Sequence, residues 1–312
     1  MRTGIVVDAS CDLPPRFLVE HNIQVLPSSI HIGTERHSDA REPKATLDFY
    51  SGRIGRRSLQ ARTESYPVAR IRNFFLDRLV SDFDHVICIP IWKERSPLHG
   101  KITEASLGIL SNYREYRADA ASRAPFSMRV LDSGTLFAGL GVQAAECAAK
   151  VREGRNYLDV LAHLGEVSRH TVSCLVPEDV AYVRERARQR GENVGSLLHV
   201  AGQALGIKPV VALHEGRMRM VASRRGWESA ANYLLRRVAQ VVEEGWLCSR
   251  YVCASYGGEP ERMEELAGFR DLRAACEARG VKLLLSIMSA VAAVNVGAGA
   301  LSVAYSGEMA WE

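Results

Sequence analysis

Residues 88–105 read CIPIWKERSPLHGKITEA, and they join an apolar run to a helix through a polar loop. The apolar run predicts a buried strand over His85–Ile91, and the spacing that follows predicts a helix over Thr103–Asn112. The loop between them carries Ser96, His99, Gly100 and Lys101. Hydroxyls, backbone amides and a cation at the carboxyl end of a strand are typical of ligand sites in α/β proteins.

The first half of the chain repeats this strand–helix unit. The predicted strands are Ile5–Val7, Val25–Ile32, His85–Ile91 and Met128–Leu131. The predicted helices are 12–21, 43–56, 67–81, Thr103–Asn112, Gly139–Arg152 and 155–168. Because apolar strands alternate with helices, we expect a mostly parallel sheet flanked by helices.

The second half has a different pattern, with a hairpin at Glu215-Gly216. Its predicted strands are Val172–Val176, Ile207–Leu213, Met218–Ala222, Tyr251–Ser255, Val281–Met288 and Leu301–Tyr305. Its predicted helices are Pro177–Arg190, Glu228–Glu243 and 259–279. This mixture indicates an α+β fold. We therefore expect an α/β protein of two domains, residues 1–168 and 169–312.

Composition is that of a soluble globular protein, with 47% hydrophobic and 24% charged residues among 312. A net charge of +4 without a long Lys/Arg tract disfavours nucleic-acid binding. The seven scattered cysteines, without metal-ligand spacing, indicate reduced thiols in the cytoplasm and no metal site. The first ten residues, MRTGIVVDAS, contain an apolar run of only three residues, which is too short for a signal peptide.

Residues 283–305 carry no charge and are long enough to cross a bilayer. Asn295, Gly297 and Gly299 interrupt this stretch near its middle. The two halves are then short apolar runs, which predict two buried strands around a Gly-rich turn and no membrane span.

Three polar segments contain the candidate ligand-binding side chains: Thr63-Glu64-Ser65, Ser96–Lys101 and Asn295–Gly299. The P-loop, dinucleotide-binding, zinc-protease and hydrolase nucleophile signatures are absent from the sequence. Ser and Thr hydroxyls, loop amides and a lysine together suit a carboxylate or phosphate. The alternatives are that Ser65 and Ser96 cap helices and that His99 is a packed or solvated loop residue. Gly297 and Gly299 would then simply permit a tight turn.

Taken in order, these segments resemble the landmarks of the DegV family of fatty-acid-binding proteins along nearly the whole chain. The landmarks are a D-S-T-A-D-L-P-like start at Asp8–Pro14, T-T-S-Q-P at Thr63–Pro67, S-S-x-L-S-G-T at Arg95–Lys101, V-I-D-S at Val130–Ser133, L-x-I-K-P at Leu205–Pro209 and H-x-G-P-G-A-L at Asn295–Leu301. Six landmarks in the right order are far more specific than any one of them.

The resemblance implies an acyl carrier with a long-chain fatty acid in a cleft between the two domains and no cofactor or catalytic residue. It places the carboxylate near Thr63 or Ser65 and near Ser96. Extended to the neighbouring motif positions, the implied ligand-binding residues are Thr63, Ser65, Ser96, His99, Gly100, Lys101, Asn295 and Gly297. A separate fatty acid kinase would phosphorylate the bound acid.

This sequence departs from the family pattern at the head-group motifs. Glu64 replaces a Thr, His99 and Lys101 replace the Ser and Thr of S-G-T, and Asn295 replaces a His. If Glu64 faced the pocket it would repel an acid, unless Lys101 or Arg62 neutralised it. The commoner arrangement for a Glu is to point to water.

Two other interpretations of the chain stay open. Ser96, His99 and Lys101 are candidates for an acid–base or nucleophile cluster of an enzyme acting on an anionic small molecule. The lost landmark residues suit an interaction protein with a vestigial pocket.

Arg184 and Arg188 share a helix face at i,i+4 spacing, and they form either a solvated surface or a docking patch for an acidic partner such as the kinase.

Overall fold

The computed structural model describes residues 2–53, 59–117, 124–191 and 206–311. These ranges form three β-sheets and the helices that cover them, which confirms the predicted α/β class. The helices of the first half are α1 (Pro15–Glu20), α2 (Pro43–Arg53), α3 (Val68–Arg78), α4 (Leu98–Leu110), α5 (Tyr113–Tyr116), α6 (Ala138–Arg152) and α7 (Tyr157–Arg169). Those of the second half are α8 (Val180–Gln189), α9 (Trp227–Glu244), α10 (Ala267–Arg279) and α11 (Ala290–Val296).

The first sheet is parallel, as predicted, and has four strands. In spatial order they are β2 (Ile23–Leu26), β1 (Thr3–Asp8), β6 (His85–Ile89) and β7 (Ser127–Val130). Alternate residues pack on opposite faces: Val7 and Ile87 contact the side of α6 and α7, and Val6 contacts the side of α3 and α4. Helices on both faces explain why these strands are apolar at successive positions.

A small antiparallel sheet was not predicted. Its strands, in spatial order, are β4 (Glu35–Asp39), β3 (Ser28–Ile32) and β5 (Arg62–Ser65). The prediction of one strand over Val25–Ile32 is wrong, because β2 ends before Pro27 and β3 begins after it, in another sheet. Pro27 has no backbone N–H to continue the ladder of β2.

The third sheet is mixed and has six strands, as expected for the second half. In spatial order they are β10 (Arg217–Arg225), β9 (Ile207–His214), β8 (Thr171–Val176), β13 (Leu301–Ser306), β11 (Tyr251–Tyr256) and β12 (Lys282–Ile287). The predicted hairpin is confirmed: β9 and β10 pair antiparallel, and Glu215 and Gly216 between them both have positive φ. This turn geometry fits the twist of a two-residue hairpin.

Helix α6 lies between the parallel and the mixed sheets. Its residues pack in one core cluster with Ile5 and Val7 of β1, Cys253 of β11 and Ala304 of β13. A Cβ at Gly141 would lie 3.1 Å from the backbone oxygen of Asp12 and 3.3 Å from the sulfur of Cys253. Small residues in α6 therefore allow the two halves to approach closely, and the division at residue 168 stays a prediction.

Helices α4, α5, α10 and α11 differ most from the sequence prediction, and α5 was not predicted at all. Helix α4 begins at Leu98, five residues early, and α11 lies within residues 283–305, where we expected only a turn between two strands. Segment 259–279 is a 3₁₀ helix, Pro260–Glu265, followed by α10. Of the predicted helix 43–56, residues 54–56 lie outside the described ranges. No helix in those ranges combines the length and apolar character needed to cross a bilayer.

Candidate functional site

A cavity of about 410 Å³ lies where the three sheets meet. Its apolar wall comes from the first half at Ile91, Leu98, Leu136 and Phe137, and from the second half at Leu175, Val183, Ala187, Met218, Val291 and Val296. Hydroxyl groups line it at Ser10, Ser28, Thr63, Ser65 and Ser96. A mainly apolar wall with a few converging polar groups is typical of a small-molecule site.

The structure brings five of the predicted site residues to this one cavity. Thr63 and Ser65 reach it from β5, Ser96 and Lys101 from the start of α4, and Asn295 from α11. These residues lie on three elements separated by up to 232 positions (295 − 63) in the sequence. Because the elements meet only through packing, the resemblance to family landmarks was the signal that grouped them.

Ser65 and Lys101 contact each other directly at the cavity wall. The Lys101 Nζ donates a hydrogen bond to Ser65 Oγ at 2.9 Å, and the Ser65 backbone oxygen lies 3.5 Å away. In the β3–β5 ladder Ser65 lies opposite Ser28, so both side chains share one face of the small sheet. Two hydroxyls and an ammonium group therefore cluster at this part of the wall.

Ser96 has a structural role as well as a position in the cavity. Its Oγ accepts a hydrogen bond from the backbone N–H of Leu98, the first residue of α4, at 3.2 Å. Ser96 thus stabilises the turn that leads into α4, as the capping alternative suggested, although Pro97 is the residue at the cap position. An oxygen that accepts this bond keeps its own O–H as a donor for another group.

Glu64 contributes to the cavity wall, but its carboxylate binds a histidine outside it. Oε2 of Glu64 lies 2.8 Å from Nε2 of His31, and 57% of the Glu64 side chain is exposed. Alternation along β5 turns Glu64 to the face opposite that of Thr63 and Ser65. The carboxylate therefore does not oppose an anion at Lys101.

Asp8 is a buried carboxyl that lines the cavity. It begins the first of the family landmarks, but we did not predict a ligand-binding role for it. Its Oδ1 accepts from the backbone N–H and the hydroxyl of Ser10, at 2.8 and 2.6 Å, and its Oδ2 accepts from Ile91 N–H at 2.6 Å. Burial raises the pKa of Asp8, and the three hydrogen bonds oppose that rise. Asp8 thus holds the ends of β1 and β6 together beside the cavity.

Asn295 is held by two hydrogen bonds. Its Nδ2 donates to the backbone oxygen of Val291 at 2.8 Å, and its Oδ1 accepts from Nη1 of Arg190 at 2.5 Å. Arg190 also lines the cavity and lies at the C-terminal end of α8. A cation therefore stands beside the position where the family pattern has a His.

His99, Gly100 and Gly297 do not belong to the cavity wall. Gly100 is exposed on the first turn of α4, and a Cβ there would meet open space. Gly297 ends α11 with φ +87°, and a Cβ there would lie 3.1 Å from a ring carbon of Tyr182. Gly297 is therefore required by the backbone conformation at the end of α11. The ligand-binding role of His99, Gly100 and Gly297 stays a prediction, and their absence from the cavity wall does not support it.

The predicted docking residues lie on α8. Arg188 is exposed and forms a bidentate pair with Glu185, at 2.8 and 2.9 Å, whereas Arg184 is half-buried. Between them Arg186 is buried and donates to the backbone oxygen of Ala61 at 2.7 Å. Glu185 balances one of the two predicted charges, and the docking patch stays a prediction.

A buried ion pair within the first half is hydrogen-bonded to the second half, and sequence reasoning missed it. Nη1 of Arg41 lies 3.5 Å from Oδ1 of Asp12, and both side chains are almost fully buried. Asp12 also accepts from Ser255 Oγ at 2.7 Å and from Ser289 N–H at 2.9 Å. Arg41 donates to the backbone oxygen of Ile287 at 2.8 Å. No local pattern around Arg41 indicates these distant partners.

The β9–β10 hairpin reaches the loop after β6 at one edge of the cavity. Nη2 of Arg95 lies 3.8 Å from the sulfur of Met218, and both residues line the cavity. A Cβ at Gly216 would lie 3.6 Å from the Trp92 ring. Among the residues that the structure describes, no group of three His, Cys, Asp or Glu side chains is placed to hold a metal ion.

Fold and cavity together define an α/β protein with a ligand-sized, mainly apolar site between a parallel and a mixed sheet. The family model that matches the sequence is that of the DegV family, over residues 2–308. A DegV domain-containing protein of Xanthomonas campestris is 40% identical over 309 residues, covering 99% of this chain and 98% of the relative. The chain belongs to the DegV family.

Solved structures share the fold at low sequence identity. A protein of Eubacterium ventriosum, described as binding stearic acid, has a TM-score of 0.75 at 18% identity, with 98% of both chains covered. DegV of Bacillus subtilis, described as a fatty acid binding protein, has a TM-score of 0.73 at 17% identity, with 99% of this chain and 100% of the other covered. These similarities establish the fold.

Proposed function

We propose that this protein binds a long-chain fatty acid, with the acyl chain against the apolar wall of the cavity and the carboxylate near Ser65 and Ser96. The observation that carries the proposal is the cavity itself, about 410 Å³ with ten apolar residues and a cluster of hydroxyl groups at one part of its wall. The fatty acids described for proteins of the same fold support it.

The energetics of the site suit an acyl ligand. Burial contributes about 0.8 kcal/mol per CH₂ group, so a chain of palmitate length contributes on the order of 10 kcal/mol before ordering losses. A buried carboxylate without hydrogen bonds costs several kcal/mol. The hydroxyl groups of Ser65, Ser96 and Thr63 supply hydrogen-bond donors for this carboxylate. The chain would thus provide affinity and the hydroxyls orientation.

A carrier fits the cavity better than an enzyme does. The enzyme alternative needs Ser96, His99 and Lys101 in one cluster, but His99 does not belong to the cavity wall. Lys101 donates its hydrogen bond to Ser65, and Ser96 accepts from the backbone N–H of Leu98, so these two residues are engaged with other groups and not with each other. We therefore propose binding without catalysis by this chain.

We extend the proposal to presentation of the bound acid to a fatty acid kinase. Ser65 and Lys101 are only half-buried, which supports access to the head group from outside. The seven cysteines are all free, which supports a reducing, cytoplasmic location. Transfer of the γ-phosphate of ATP to the bound carboxylate, with release of ADP, tests presentation when such a kinase is added.

Native mass spectrometry of the purified protein tests the proposed binding. We expect wild-type protein either to carry a fatty-acid mass or, after removal of lipid, to take up one equivalent of palmitate or oleate. Val183→Phe should reduce loading at least tenfold, because Val183 lines the cavity from α8 and a larger ring would occupy the space of the chain.

The matched control is Ala181→Phe, since Ala181 is exposed on the same helix and is not part of the cavity wall. This variant should load as the wild type does, and both variants should show cooperative thermal unfolding. Wild-type protein that stays bare and resists loading would contradict the proposal and favour the interaction protein with a vestigial pocket.

A further inference from the structure

We propose that Lys101 is the counter-ion of the bound ligand, so that the cavity selects an ionised acid over a neutral lipid of the same chain length. This inference rests on the proposed fatty-acid binding and adds to it the charge of the head group. The position is one at which the sequence departs from the family pattern, with Lys in place of Thr. A hydroxyl group donates to neutral and ionised head groups alike, whereas an ammonium group favours an ionised one.

The surroundings of Lys101 contain dipoles but no compensating charge. Its Nζ donates to Ser65 Oγ at 2.9 Å and lies 3.5 Å from the Ser65 backbone oxygen. In the part of the chain that the structure describes, no Asp or Glu oxygen lies within ion-pair distance of this nitrogen. Lys101 is half-buried and lines an apolar cavity, where a charge without a counter-ion is unfavourable.

The two carboxylates of the cavity wall are engaged elsewhere. Asp8 accepts hydrogen bonds from Ser10 and from the backbone of Ile91. Glu64 binds His31 on the other face of the small sheet. Neither carboxylate is placed to neutralise Lys101. An anion that enters the cavity would therefore find a cation whose charge no group of the wall balances.

The Lys101–Ser65 bond also orients the donors. Because Ser65 Oγ accepts from Nζ, the Ser65 O–H proton must point away from the lysine. Beyond its two contacts with Ser65, the ammonium group keeps a further N–H proton for another acceptor. A carboxylate beside this pair would receive an ionic hydrogen bond and a hydroxyl hydrogen bond, whereas an alcohol or ester would leave the charge of Lys101 uncompensated.

Two arginines of the cavity wall are the alternative counter-ions. Arg190 donates to Asn295 Oδ1 at 2.5 Å, and Arg95 lies against Met218 and 5.8 Å from the centre of the Trp92 ring. Both guanidinium groups thus have contacts of their own at the cavity wall. We include them in the test because either one would give the same selectivity by another route.

The experiment compares palmitate with 1-hexadecanol, which has the same chain length and no charge. Dissociation constants are measured on lipid-free protein by displacement of a fluorescent acyl probe. We expect wild-type protein to prefer palmitate, and Lys101→Met to lose roughly tenfold to a hundredfold of its palmitate affinity while its hexadecanol affinity changes little. Lys101→Arg should keep most of the preference, because it keeps the charge.

Lys44→Met is the matched control, since Lys44 is exposed on α2 and lies outside the cavity, and it should behave as the wild type does. The inference is overturned if Lys101→Met retains the preference for palmitate, or if Arg95→Met or Arg190→Met removes it instead. Equal binding of both ligands by wild-type protein overturns it too, while fatty-acid binding stands. Binding of neither ligand overturns the proposed function and the inference with it.

Discussion

Glu64 lies between Thr63 and Ser65 in the sequence, yet its carboxylate binds His31 on the far side of a three-stranded sheet. The sequence alone left two orientations open, because residues 62–65 carry no apolar alternation that would reveal a strand. Pairing with β3 decides between them, since side chains alternate between the two faces of a strand. The carboxylate of Glu64 therefore does not oppose the acid that we propose to bind near Ser65.

Glu64→Gln tests this orientation. We expect its palmitate dissociation constant to stay within about twofold of the wild-type value, because the Glu64 carboxylate pairs with His31 on the face opposite Ser65 and an exposed ion pair is a weak interaction. Displacement of a fluorescent acyl probe measures it. Glu104→Gln, which removes an exposed charge from α4, is the control. A tenfold gain in affinity on losing Glu64 would mean that its carboxylate faces the ligand.

At the scale of elements, α11 shows where sequence patterns were insufficient. Residues 283–305 read as two strands with a turn, and the strands β12 and β13 are confirmed. Between them Ser289 Oγ accepts from Ala292 N–H at 3.2 Å and begins a helix of seven residues. Such a short helix, buried on most sides and rich in Ala and Val, has no polar face to produce a helical period.

Gly297 ends α11 in a conformation that only glycine adopts readily, with φ +87° and ψ 161°. We expect Gly297→Ala to lower the free energy of unfolding by about 1–3 kcal/mol, because of that strain and of the contact with Tyr182. Urea denaturation followed by circular dichroism measures the loss.

Gly100→Ala is the opposite case, since Gly100 is exposed within α4 and has space around it. We expect it to raise the free energy of unfolding by about 0.5–1 kcal/mol and to leave palmitate binding unchanged. Equal stability of the two glycine variants would contradict the assigned role of Gly297. A loss of binding in Gly100→Ala would restore Gly100 as a site residue.

For the whole molecule, the repeated strand–helix units predicted the α/β class and the parallel sheet, because buried strands between helices leave a strong apolar signal. In the second half, the turn residues Glu215 and Gly216 between two apolar runs predicted the hairpin, and helical spacing predicted α8, α9 and the segment that contains α10, whereas α11 was not predicted. The Asp12–Arg41 pair and the place of Arg190 in the cavity wall were not predicted, since their partners lie far away in the sequence and leave no periodic pattern. The small sheet was missed because pairing, not local preference, stabilises β5.

The cavity is likewise a property of the whole chain. Helix α6 sets the distance between the parallel and mixed sheets, and hydrogen bonds between the Asp12–Arg41 pair and the second half connect the two halves. Removing one partner of a buried pair of this kind lowers the free energy of unfolding by about 3–5 kcal/mol. The contact between the halves is therefore rigid. The resemblance to family landmarks grouped five residues that line the cavity, and the packing of three sheets gives the cavity its shape.

The most direct measurement is a crystal structure of the lipid-free protein soaked or grown with palmitate. Our account predicts continuous density for one acyl chain along the apolar wall formed by residues such as Phe137, Leu175 and Val183. It predicts a carboxylate within hydrogen-bond distance of Lys101 Nζ and Ser65 Oγ. An empty cavity at saturating palmitate, or a chain bound with its carboxylate away from Lys101, would contradict it.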